Sequence, residues 1–82
     1  MAFLRRGNVK RPYKNSAFIL LKRFDGMPVK IKINSISCWE EYQHRNHKPV
    51  TVVFWDIASS TAVVETFDKI DEAINGKAVA NV

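Results

Sequence analysis

Apolar and polar positions alternate most strictly at Val29-Lys30-Ile31-Lys32-Ile33, which sets Val29, Ile31 and Ile33 on one face of an extended strand and both lysines on the other. Upstream, Phe18-Ile19-Leu20-Leu21-Lys22-Arg23-Phe24 has the β-branched and aromatic content of a strand. Asp25-Gly26 between them supplies a turn, because glycine takes positive φ without a Cβ clash. Pro28 has no N–H for a ladder and belongs at the turn or at the first strand residue. Together these segments predict an antiparallel hairpin. Residues 36–40 read as a short third strand and residues 42–49 as a polar loop. Val50-Thr51-Val52-Val53-Phe54-Trp55 is apolar at nearly every position, as in a strand covered on both faces. Residues 56–60 then turn the chain, and 61–65 pair back as a second hairpin.

The period changes after Glu65. Phe67, Ile70, Ala73 and Ile74 fall on one face of a helix, with Lys69, Asp71, Glu72 and Asn75 on the other. Thr66 fits the N-cap, Asp68 stands near the positive end of the helix dipole, and Gly76 fits the left-handed C′ position. About ten residues is too short for a helix to persist alone, so it must dock on the sheet. The expected fold class is α+β, mostly β: two antiparallel hairpins plus a short strand forming a small sheet, and one C-terminal helix. Ile31, Val52, Phe54 and Ile70 are the expected core.

Charge divides the chain differently. Residues 1–16 hold Arg5, Arg6, Lys10, Arg11 and Lys14 with no acid, while the other eight cations are matched by eight acids, so the net +5 belongs to the first segment. With Gly7, Asn8, Pro12 and Asn15 among its basic residues and no sustained apolar period, residues 1–16 read as a flexible arm. The single β-rich domain is then 17–76, followed by a tail at 77–82. Eighty-two residues allow one core, and a chain this short buries only roughly 60–65% of its unfolded surface. Cys38, the one cysteine, forms no internal disulfide and suits a reducing cytoplasm; oligomerisation is the expected reserve of stability. No uncharged stretch approaches the roughly 20 residues of a membrane span, and no long apolar run follows the basic start, so neither a span nor a secretory signal is expected.

From Ile19 to Ile74 the chain resembles the FlbD-like family of small bacterial flagellar proteins. Leu21-Lys22-Arg23-Phe24-Asp25-Gly26 stands where that family has Leu-Thr-Arg-Leu-Asn-Gly. Ile33-Asn34-Ser35-Ile36 with Trp39-Glu40 is similar to its strand closing on an apolar residue and Glu, and Val50-Thr51-Val52 to the start of its second hairpin. Val64-Glu65-Thr66-Phe67-Asp68-Lys69-Ile70 resembles its Val-x-Glu-Ser-x-x-Glu-Val helix entry. The family lacks the basic arm and turns its second hairpin on Asn-Gly, where this chain has Ile57-Ala58-Ser59-Ser60. The resemblance implies a small β-rich fold and a flagellar accessory role.

Catalytic chemistry finds little footing. Cys38, His44 and His47, with Glu40 or Glu41, are the one set with metal-ligand chemistry, and the paired cysteines of structural zinc sites are absent, so no metal is assigned. Cys38 with His44 as its base lacks an orienting third group, and an apolar strand raises a thiol pKa. Asp68, Asp71 and Glu72 read as the solvated face of the helix rather than an acid–base pair, and no Gly-rich phosphate loop precedes the helix. No enzyme activity and no cofactor are expected. Two binding functions are left. A protein-interaction or regulatory module, a homo-oligomer or one with a protein partner, would use Trp39, Tyr42 and Trp55 near the element ends. Such a module fits a flagellar accessory protein, or a phage or accessory protein acting on a host machine. The alternative is nucleic-acid binding through Arg5, Arg6, Lys10, Arg11 and Lys14 of the arm, extended over one sheet face by Lys30 and Lys32.

Overall fold

A computed structural model describes residues 1–14 and 16–76; the predicted tail at 77–82 lies outside the described residues. The fold is α+β and mostly β. Its strands are β1 (Ala2–Gly7), β2 (Phe18–Lys22), β3 (Pro28–Lys32), β4 (Ile36–Gln43), β5 (Val50–Trp55) and β6 (Ser59–Val63), with a 3-10 turn at Ile33–Ser35 and a helix α1 at Phe67–Asn75. β1, β4, β5 and β6 lie side by side in that order as an antiparallel sheet, and β2 and β3 form a separate hairpin.

Both predicted hairpins and the helix form. Gly26 takes φ 87° in the first turn, and Asp25 Oδ1 accepts from Met27 N at 3.0 Å. Thr66 Oγ1 caps α1 by accepting from Lys69 N at 3.2 Å, and Gly76 ends it at φ 75°. The third strand is longer than predicted, reaching Gln43, and β6 begins at Ser59 because the turn closes on Asp56 at φ 59°. Phe67, Ile70 and Ile74 are buried on the inner face of α1, whereas Ala73 is exposed.

The arm is not free. Residues 2–7 are an edge strand, in register with Arg5 opposite Glu41, Arg6 opposite Glu40 and Gly7 opposite Trp39. Opposite charges facing across two strands favour that register. At Gly7 a side chain would overlap the Trp39 indole, so only glycine lets β1 lie over it. Beyond Gly7 the chain passes the C-terminal end of α1 and satisfies its open carbonyls. Arg11 Nη2 donates to Asn75 O at 2.6 Å and the Tyr13 hydroxyl donates to Ile74 O. The Asn75 amide answers in both directions, donating to Asn8 O at 2.9 Å and accepting from Lys10 N at 2.7 Å.

One core holds these parts together. Ile19, Leu21 and Ile31 of the hairpin, Ile33, Ile36, Trp39, Val53, Val63 and the three helix residues form one buried cluster. The hairpin meets the sheet where Arg23 bridges Val63, Val64 N donates to Lys22 O at 2.8 Å and Glu65 accepts from Lys22 N at 3.0 Å. Ile31 and Ile70 are core as expected. Val52 and Phe54 are not: in β5 the core-facing positions are Thr51 and Val53, and the alternation turns Val52 and Phe54 to the other face, where they are half-buried. An unbroken apolar run does not tell which of its two faces meets the core.

We predict that Gly7→Ala destabilises the protein by about 1–3 kcal/mol, because the methyl must displace a packed indole. Removing residues 1–7 should lower the melting temperature as well. A truncated chain that melts with the parent would show that β1 contributes nothing to the fold.

Candidate interaction surfaces

The hairpin and α1 both pack on the inner face of the sheet, which leaves its outer face without a covering layer among the described residues. Cross-strand register sets out what that face carries. One row runs Phe3, Tyr42, Val50; the next Arg6, Glu40, Val52, Ala62; the third Cys38, Phe54, Ser60. Apolar side chains dominate, and the one acid and one base are already joined. Glu40, only 7% exposed, binds Arg6 Nη2 at 2.7 Å and accepts from the Tyr42 hydroxyl. That phenol, together with the Arg6 guanidinium, holds the Glu40 carboxyl below its ordinary range, and the carboxylate in turn raises the Tyr42 pKa. Phe3 meets Tyr42 edge-on with centroids 5.9 Å apart. The face is therefore close to neutral and largely apolar.

The outer face of the β2–β3 hairpin has a different character. Its cross-strand pairs are Phe18 with Lys32, Leu20 with Lys30, and Lys22 with Pro28, all six exposed. Lys30 Nζ lies 4.5 Å from the centroid of the Phe18 ring. No salt bridge ties any of these three lysines among the described residues, and no carboxylate belongs to the three pairs.

A third feature is an open groove of about 680 Å³ beside the β4–β5 loop, with Phe24, Val64, Pro49, His44, His47 and Lys48 in its walls. His44 and His47 meet edge-on across 5.8 Å. Cys38 is far from them, since the five extended steps from Cys38 to Gln43 span about 16 Å. Burial, reinforced by the charge of Glu40 and partly offset by Arg6, pushes the thiol pKa up. No three His, Cys, Asp or Glu side chains gather as a metal site among the described residues.

The residues proposed from sequence are redistributed. Trp39 is fully buried and unavailable to a partner in the folded chain. Trp55 is half-buried on the inner side and donates its Nε1–H to Thr61 Oγ1 at 3.0 Å, so of the three aromatics Tyr42 alone stands on the open sheet face. Arg5 is committed to Glu41 at 2.8 Å and Asp68 at 3.2 Å and lies 4.2 Å from the Phe67 centroid; Arg6 is committed to Glu40. Arg11 and the Lys10 backbone are tied to Asn75, while Lys14, Lys30 and Lys32 are exposed. Phe18 and Leu20 were not among those residues, although their outward direction follows from the same alternation that buries Ile19 and Leu21. The charge pattern Arg5-Arg6 against Glu40-Glu41 is the sequence signal for the β1–β4 pairing. Comparison with protein-family models, curated proteins and solved structures finds no match, so the function must be argued from these surfaces.

The Arg6–Glu40–Tyr42 cluster gives a pH signature. A carboxyl whose folded pKa is depressed adds stability above its unfolded value, near 4.5, and loses it as pH falls through the folded value. Tyr42→Phe should therefore destabilise most at neutral pH, and the gap to the parent should narrow on acidification below 4.5. A gap that is constant with pH would show that the phenol does not act through Glu40.

Proposed function

We propose that the protein is a small non-enzymatic interaction module that works as a homo-oligomer, two copies closing over the outer face of the β1-β4-β5-β6 sheet. The observation that carries this reading is the outward pair Val52 and Phe54 on a central strand that has no layer above it among the described residues. A near-continuous apolar strand belongs between two layers, and the fold supplies one. The neutrality of the face selects the occupant. Its ion pair is internally satisfied, so a charged partner gains nothing there, while a second copy offers the same neutral, apolar surface. Two stacked sheets would pack about 10 Å apart and bury Val50, Val52, Phe54 and Tyr42 from both sides. The net +5 then stays on surfaces that remain exposed.

Such a module suits a scaffold or regulator within a larger assembly, a flagellar accessory protein or a phage or accessory protein acting on a host machine. A reducing cytoplasm fits its lone thiol, and no helix among the described residues is long and apolar enough to cross a membrane.

Light scattering at micromolar concentration should give twice the 9.4 kDa chain mass. Val52→Glu should give a folded protein of single mass, because Val52 touches the interface and not the core. A parent protein that stays single at submillimolar concentration would overturn the reading. So would a Val52→Glu protein that unfolds while the parent is single, which would mean that the chain's own residues cover this face.

A further inference from the structure

We infer that the outer face of the β2–β3 hairpin binds single-stranded nucleic acid. The inference does not rest on self-association, which uses the other sheet. Each of three successive cross-strand pairs sets one apolar side chain beside one ammonium: Phe18 with Lys32, Leu20 with Lys30, Pro28 with Lys22. A single strand has the matching repeat, a flat apolar base and one phosphate per step. Lys30 and Lys32 are two residues apart on one face of β3, about 6.6 Å along the strand, the scale of one extended nucleotide.

Lysines alone on a two-stranded hairpin would serve to keep other strands from its edge. That role gives no reason to hold Phe18 and Leu20 in solvent at 45% and 68% exposure beside them. The ring of Phe18 is presented under Lys30 Nζ, and an arriving base can take that place, since stacking on an aromatic is a stronger contact than an exposed cation–π pair. The displaced ammonium is then free for the phosphate. The two carboxylates beside the hairpin are already engaged: Asp25 pairs with Arg23 at 2.5 Å, and Glu65 accepts from the backbone N–H of Lys22 at the strand edge rather than from an ammonium. Nothing on the face reads base edges, so binding is by charge and stacking, without sequence preference. This moves the basic contact from the arm, where Arg5 and Arg6 are neutralised by their carboxylates, to the hairpin.

Fluorescence anisotropy with a labelled oligothymidylate of about 12 nucleotides tests the site. Three phosphate contacts predict a log–log salt slope of about −2. The combined Lys22→Gln, Lys30→Gln and Lys32→Gln variant, folded by circular dichroism, should lose binding. Phe18→Ala should weaken binding about tenfold with the slope unchanged. Lys10→Gln with Arg11→Gln should bind like the parent, and so should Val52→Glu, so this site and the sheet interface fail separately. Binding that survives the three lysine changes, or that disappears with Lys10 and Arg11, overturns the inference. Absence of oligonucleotide binding at low salt also overturns it, and if polyglutamate then binds through the same lysines, the surface takes an acidic protein instead.

Discussion

The indole of Trp39 is enclosed on both sides by parts of the chain far from it in sequence. Gly7 lies against it from β1, and the Phe67 ring lies 6.3 Å away at the start of α1. A buried tryptophan of this size accounts for several kcal/mol in a small domain, about 3–5 on truncation to alanine. Covering it requires the edge strand, the central sheet and the helix to be in place together. That requirement explains why a segment as exposed and basic as residues 2–7 is ordered: its role is to close the core, and its arginines are neutralised as it does so. It also explains why α1 is held at both ends, by Thr66 at its start and by Asn75 against the crossing chain at its finish.

With the inner layer closed in this way, alternation along the strands decides what remains outside. The four-stranded sheet turns Trp39, Thr51, Val53 and Val63 inward and shows a neutral, apolar outer face; the hairpin turns Ile19, Leu21 and Ile31 inward and shows lysines with Phe18 and Leu20. The two exposed faces differ in charge and so call for different occupants. On the two proposals made above, the neutral face takes a second copy and the cationic face an anion. The net charge therefore says little about function until it is assigned to a surface.

Much of this was legible in the sequence. Strict alternation at residues 29–33, the Asp25-Gly26 turn, and Thr66 with Gly76 around a helical period are local signals, and local signals were enough for the hairpin and the helix. Residues 2–7 give no local strand signal because β1 has no alternation of its own. Its partner lies more than thirty residues away, and the clue, two arginines antiparallel to two glutamates, is a relation between segments. The direction of Val52 and Phe54 is not legible for a related reason: an apolar run is symmetric, and only the packing of α1 and the hairpin distinguishes its faces. Trp39 reads as an end-of-strand anchor because the strand signal stops at Glu40, whereas β4 continues to Gln43.

Self-association through the outer sheet face would couple to folding without being required for it. The most direct measurement is the melting temperature as a function of protein concentration. Association of folded chains stabilises them by mass action, so the midpoint should rise steadily with concentration in the parent and stay constant in Val52→Glu. A parent midpoint independent of concentration over the micromolar to submillimolar range would contradict the account.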